Sequence, residues 1–183
     1  GLLFDEFDKL YPSLFDRPQH HIAVVRALAS KAKGMTHAEI AQQSSVSSGG
    51  TLSMILDELI QSGFISANSP LQKKKKDTLF RLTDQYSLFY LRFIDGHSGR
   101  EVKDHSFFQT QQWITWTGYA FENVALSHVG QIKEALQVSG MYSTQGSYLV
   151  KAREDQPGIQ LDFLIDRSDQ TINICEAKFY NTE

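Results

Sequence analysis

Between Gln19 and Leu82, three short stretches with apolar residues at helical spacing follow one another and run directly into an alternating, lysine-rich hairpin. That order leaves few folds open. The first stretch, about Gln19 to Lys33, puts Ile22, Val25 and Leu28 or Ala29 on one face and ends at Gly34, the residue type favoured just past a helix C-terminus. Thr36 and Glu39 then form a Thr-x-x-Glu capping box, which predicts a helix from His37 to about Gln43 burying Ile40 and Ala41. After the small-residue turn Ser44 to Gly50, Leu52, Ile55, Leu56, Leu59 and Ile60 recur at helical spacing until Gly63. Phe64 to Ala67 and Thr78 to Leu82 read as the two strands of the hairpin.

Three helices and a basic hairpin make the winged variant of the helix-turn-helix, whose third helix usually enters a major groove while the wing lies along phosphates. Ser48, Gly49, Gly50, Thr51 and Ser53 open that third helix, where small polar side chains can contact phosphates or base edges. They include no arginine for guanine and no Asn or Gln for adenine, so strong sequence-specific reading is not expected. Contact with protein is the equal alternative. Lys73, Lys74, Lys75 and Lys76 serve either as a phosphate-contacting wing tip or as a solvated loop. His20 and His21 have no partner at metal-ligand spacing and read as surface residues. Thr83 is expected to cap a further helix rich in Tyr86, Leu88, Phe89, Tyr90 and Phe93, packed with Trp113 and Trp116 between two modules.

Charge divides along the same line. The chain has a net charge of -3, but Arg17 to Gln85 holds nine Lys/Arg against five Asp/Glu, leaving that segment at +4 and the remainder at -7. The first module is therefore the one mildly suited to a polyanion. Hydrophobic residues make up 41% of the 183 positions and glycine with proline only 16, which excludes collagen-like and disordered architectures. The single cysteine, Cys175, excludes an internal disulfide and a cysteine-rich metal site. No run approaches the roughly 18 apolar residues of a spanning helix and no signal-peptide pattern opens the chain, so a soluble, cytoplasmic protein without a membrane partner is expected.

The ends suggest a piece of something longer: the chain opens at Gly1 and stops just after a strand-like run. Three segments follow from this reading: a connector helix over 1–16, the winged-helix domain over 17–95, and a second domain over 96–183. In the last, Gln111 to about Gln137 reads as one long amphipathic helix, apolar at Trp113, Trp116, Tyr119, Phe121, Val124, Ala125, Val129, Ile132 and Leu136. Strands are expected at about Ser147 to Arg153, Ile159 to Asp166 and Thr171 to Tyr180, joined by Pro157-Gly158 and Arg167 to Gln170.

Alternation along those strands places Asp162 on the face away from the obvious core, and Glu176 and Lys178 together on one face of the next strand. In a hairpin of suitable register, two carboxylates and an ammonium converge. Hard carboxylate oxygens suit magnesium, and a neighbouring cation can orient a water or neutralise developing charge, which is what metal-assisted phosphodiester hydrolysis asks for. Charges alternating on one face are equally what a half-solvated sheet looks like.

The stretches Gly118-Tyr119-Ala120-Phe121-Glu122, Pro157 to Arg167 and Ile172 to Tyr180 closely resemble the C-terminal region of the AAA+ superfamily proteins called archaeal-type ATPases. Gly49 to Leu52, Leu59 to Ile65, Lys73 to Asp77 and Tyr86 to Leu91 resemble that family's winged-helix segment, so the likeness covers most of the chain. It implies an α+β fragment: a winged helix-turn-helix followed by a PD-(D/E)xK, restriction-endonuclease-like αβββ unit that is incomplete, lacking the second helix and fourth strand. It further implies catalytic roles for Asp162, Glu176 and Lys178, magnesium on Asp162 and Glu176, and Glu122 as a helix glutamate near the metal; on the residues alone, Glu122 beside Phe121 reads as a solvated position. Leu161 stands where the motif's name puts proline. ATP would belong to an ATPase domain outside this chain, which has no Gly-x-x-x-x-Gly-Lys-Ser/Thr. The partners implied are nucleic acid, that ATPase domain, and a second copy paired through an exposed sheet edge. A non-catalytic regulatory or assembly module is the alternative.

Overall fold

The computed structural model describes residues 2–68, 77–96, 108, 110–150, 155 and 157–180. It is an α+β arrangement in two compact units, one built from the described residues up to Asn68 and from Asp77 to Thr110, the other from those from Gln111 onward. Lys73 to Lys76 lie outside the described residues, as does the 97–105 part of the expected boundary.

The first unit starts with α1 (Leu2–Leu14) and α2 (Pro18–Ala29), followed by α3 (His37–Ser44) and α4 (Gly50–Gln61). Rather than standing apart as a connector, α1 drives Phe7 and Tyr11 into the core, where Phe7 stacks on Tyr90 at 4.3 Å and the Tyr11 hydroxyl shares a 2.8 Å hydrogen bond with Ser87. Proline at its first position starts α2, which ends four residues before the expected Lys33, and the chain then turns through Gly34. The capping box is present as the sequence predicts: the Glu39 N–H donates to Thr36 Oγ1 and the Thr36 N–H to the Glu39 carboxylate at 2.7 Å. Along α4, Leu52, Ile55, Leu56 and Leu59 are buried, and Gly63 (φ +75°) ends the helix with the Phe64 N–H on the Leu59 carbonyl.

Strands β1 (Ile65–Asn68) and β2 (Leu79–Leu82) pair antiparallel, Ile65 opposite Leu82. Met35 adds a one-residue third strand, exchanging both backbone hydrogen bonds with Phe80 at 2.9 and 2.8 Å. The next helix, α5 (Gln85–Phe89), is capped by Asp84 rather than the expected Thr83, because the Thr83 N–H and hydroxyl are already taken by the Phe64 carbonyl. A π-helical turn, Tyr90–Ile94, continues it. Tyr90 and Ile94 belong to the first unit's own core, with Tyr86, Leu88, Phe89 and Leu91 packed on it.

One expectation about histidine fails. His21 is buried, with Nε2 at 2.7 Å from Glu58 of α4, Nδ1 at 3.1 Å from the Arg17 carbonyl, and the Phe15 ring stacked on it at 3.9 Å. An imidazole so enclosed needs partners at both nitrogens, and it has them.

In the second unit the long helix breaks at His128 into α6 (Gln111–Ser127) and α7 (Val129–Ala135), where the His128 Nδ1 takes the Val124 carbonyl at 2.7 Å. A three-stranded antiparallel sheet follows in the order β3 (Ser143–Val150), β4 (Ile159–Arg167), β5 (Ile172–Cys175). Its helix face carries Phe163 and Ile165, which form the core with Val129 while Ala125, Leu126, Ile132 and Cys175 pack around them. Two strand boundaries differ from expectation: β3 begins at Ser143, and β5 stops at Cys175 instead of Tyr180. Among the described residues no helix is long and apolar enough to cross a membrane.

Among the described glycines of the first unit, Gly34 is the one where an added Cβ would meet a neighbour. Its φ is +89° and an added Cβ would sit 2.8 Å from the Phe80 carbonyl oxygen, inside the Met35–Phe80 bridge. Gly34→Ala should therefore cost about 2 kcal/mol of stability, read by urea denaturation under circular dichroism with faster hydrogen exchange at the Met35 and Phe80 amides; unchanged stability would mean the close approach is readily relieved.

Candidate functional site

Asp162 owes its setting to an irregularity in β4. Gly146 pairs with Leu164 and Tyr148 with Leu161, so Asp162 and Phe163 together oppose the single residue Ser147. This is a β-bulge, which sharpens local twist and interrupts the ladder. On the other side of β4, pairing with β5 ends at the bulge, at Phe163 opposite Cys175. The next N–H pointing back toward β4 is that of Ala177, and the Asp162 carboxylate accepts it through Oδ2 at 2.8 Å. A side chain thus replaces the ladder bond that the backbone no longer supplies, and Glu176 to Tyr180 runs on as irregular chain rather than strand.

Along that strap, Glu176 lies between Cys175, the last ladder partner, and Ala177, whose N–H Asp162 holds. Lys178 pairs with Glu176, Nζ to Oε1 at 2.9 Å, and both side chains are more than half exposed. The Glu176 carboxylate, helped by Tyr180 and Asp162, holds the Lys178 ammonium above the usual lysine range. The structure therefore assembles Asp162, Glu176 and Lys178 locally, although Glu176 and Lys178 stand just past the strand that was expected to carry them.

Glu122 lies on α6 and is buried together with Asn123, while its neighbours Phe121 and Val124 are exposed. The sequence reading of Glu122 as a solvated position beside a buried Phe121 is thus reversed. Among the described residues no group of three or more His, Cys, Asp or Glu converges as a metal cage, so Glu122 does not form one with Asp162 and Glu176. The site offers two carboxylates and one ammonium.

Beside this cluster an open groove of about 520 Å³ is lined by Phe121, Ala125, Ile132, Phe163, Cys175 and Lys178, among others. Burial pushes the Cys175 thiol up from its ordinary pKa. Phe179 closes toward Phe121, ring centroids 6.0 Å apart. The groove is not legible in the sequence, because its lining joins α6 and α7 to β4, β5 and the segment after it, which are distant along the chain.

In the first unit Ser48, Thr51 and Ser53 are exposed at the start of α4, and the Ser53 hydroxyl lies 3.3 Å from His37 Nε2 on α3. The helix itself carries no lysine or arginine and exposes Asp57. Comparison with protein-family models, curated proteins and solved structures finds no match to this chain.

The strap can be separated from any role in binding an ion. Asp162→Ala should destabilise the second unit by about 1–2 kcal/mol, because it removes a charge-assisted hydrogen bond to a partly buried N–H, whereas Asp162→Asn keeps an accepting oxygen and should lose less than half as much. Both tryptophans lie in α6, so tryptophan fluorescence during denaturation reads this unit; equal losses in the two variants would deny the strap its structural role.

Proposed function

We propose that this chain is the nucleic-acid-engaging portion of an archaeal-type AAA+ ATPase, with the first unit acting as a winged helix and the second as a nuclease-like unit whose magnesium site is Asp162 and Glu176. The observation that carries the reading is the local meeting of Asp162, Glu176 and Lys178, three residues whose chemistry matches the D…ExK arrangement. Two carboxylates suit magnesium, an ion that binds through one or two carboxylates and completes its octahedron with water and substrate phosphate. When bound, it supplies positive charge against the phosphoryl oxygens. Asp162 presents its carboxylate from the bulge while the Ala177 N–H fixes its rotamer. Glu176 contributes the second oxygen donor, and Lys178, on the same short segment, orients the attacking water or neutralises charge on the phosphate. The first unit contributes phosphate contacts, with Ser48, Thr51 and Ser53 as hydroxyl donors and the lysines of the β1–β2 connection as counter-charges. ATP is held elsewhere in the parent protein, and cytoplasmic placement belongs to the same reading.

A second reading has its own observation. Asp162 is engaged by the Ala177 N–H and Glu176 by Lys178, so structure alone accounts for all three residues, as expected of a non-catalytic regulatory or assembly unit. Ile172 and Ile174 are exposed on β5, an edge strand among the described residues, and pairing of that edge with a second copy suits such a role.

Manganese titration by calorimetry distinguishes the two. The metal reading expects a binding event in the wild-type chain that disappears in Asp162→Ala/Glu176→Ala, together with metal-dependent cleavage of DNA or RNA. A folded wild-type chain that binds no manganese leaves the assembly reading. DNA affinity that survives EDTA but falls steeply with salt, and falls again when Lys73 to Lys76 become alanine, would establish the winged-helix contribution under either reading.

A further inference from the structure

We propose that Lys178 is a resident counter-ion of the candidate metal site, occupying Glu176 until an ion takes its place, so that the ammonium limits metal affinity as well as serving the phosphate. This rests on the magnesium reading above and adds to it an order of events at Glu176.

The argument begins with the 2.9 Å contact between Lys178 Nζ and Glu176 Oε1. Asp162 and Glu176 stand next beyond the Phe163–Cys175 pair on neighbouring segments, and carboxylates brought together to hold an ion repel one another unless a cation lies between or beside them. The strap puts Glu176 beside Asp162, and Lys178, two residues on, is the cation at hand. Glu176 cannot give the same oxygen fully to both an ammonium and a divalent ion, so binding an ion requires Glu176 to release Lys178 or to share it. Both side chains are largely exposed, and exposed ion pairs are worth little, so the exchange is readily made. Lys178, once released, carries its charge from the carboxylate toward whatever anion arrives at the ion. One residue then has two opposing effects: it weakens metal binding and strengthens engagement of the phosphate.

The chain as it stands serves for the test, with manganese as the probe and calorimetry as the readout. Lys178→Met removes the competing charge at an exposed position and should bind manganese on the order of threefold more tightly than wild type. Lys178→Arg keeps a cation on Glu176 and should bind as wild type does. The gap between Lys178→Met and wild type should narrow at high ionic strength, where the pair is screened. Equal or weaker manganese binding by Lys178→Met, with wild-type binding intact, overturns the counter-ion role and leaves the magnesium reading standing. Manganese binding by neither protein overturns both. Cleavage supplies the independent arm: Lys178→Met should lose activity although it holds the ion more tightly, and retained activity would show that Lys178 is not used on the phosphate.

Discussion

The hydrogen bond from the Ala177 N–H to the Asp162 carboxylate ties the segment after β5 back to β4 and so fixes where Glu176 and Lys178 stand in the second unit. A bulge in β4 ends the ladder to β5, and without some other acceptor the chain after Cys175 would leave the sheet with an unsatisfied donor. Asp162 lies at that bulge, so the irregularity that breaks the backbone pairing also presents the side chain that replaces it. Glu176 and Lys178 fall within two residues of the anchored N–H. Their position beside Asp162 is therefore a consequence of the strap rather than of a continuous strand, and substitutions at Asp162 will mix structural and chemical effects unless an isosteric acceptor is compared with alanine.

A related economy appears in the first unit, where a single backbone bridge does what a strand would do elsewhere. Met35 and Phe80 exchange two hydrogen bonds, which fixes the turn between α2 and α3 against the hairpin, and Arg81 Nε reinforces it by donating to the Ala32 carbonyl at 2.9 Å. The approach is close enough that only glycine fits at position 34. Around this frame the aromatic set of α1, Phe64 and the α5–π segment fills the core, with the Phe7–Tyr90 stack and the Tyr11–Ser87 hydrogen bond joining chain segments more than seventy residues apart. Such long-range pairs are why α1 is part of the unit and not an appendage to it.

Local chemistry was legible in the sequence; features that depend on distant partners were not. The capping box at Thr36 and Glu39, the glycine stop at Gly63 and the hairpin follow from spacing of a few residues or from strand alternation, whereas Glu176 and Lys178 stand past the end of β5, next to the Ala177 N–H that Asp162 holds. His21 was misread because its partner Glu58 lies 37 positions away, on another helix. The cap of α5 moved from Thr83 to Asp84 because Phe64, on the far side of the hairpin, claims Thr83. Apolar spacing suggested one helix from Gln111 to Gln137, but it could not reveal the break at His128 or the burial of Glu122 in place of Phe121. The bulge escaped notice for a plainer reason: period-two alternation continues across Leu161 to Ile165, and the extra residue becomes visible only against the register of β3.

The distribution of positive charge narrows how the first unit can meet a polyanion. Of the nine basic residues between Arg17 and Gln85, Lys31 is paired with Glu39, Arg26 with Asp95, and Arg81 is buried on a backbone carbonyl. Four of the rest are Lys73 to Lys76, consecutive in the β1–β2 connection. Helix α4, which a winged helix would lay in a groove, brings hydroxyls and an exposed Asp57 but no base. Hydroxyls can bond a phosphate oxygen, yet they lack the bidentate reach that separates one base pair from another. If the first unit meets a nucleic acid as proposed, a short lysine run and exposed hydroxyls would serve contact with the backbone, largely indifferent to sequence and strongly dependent on salt. Any selectivity would then have to arise from the shape of the nucleic acid or from the second unit, where Asp162, Glu176 and Lys178 meet beside an apolar groove.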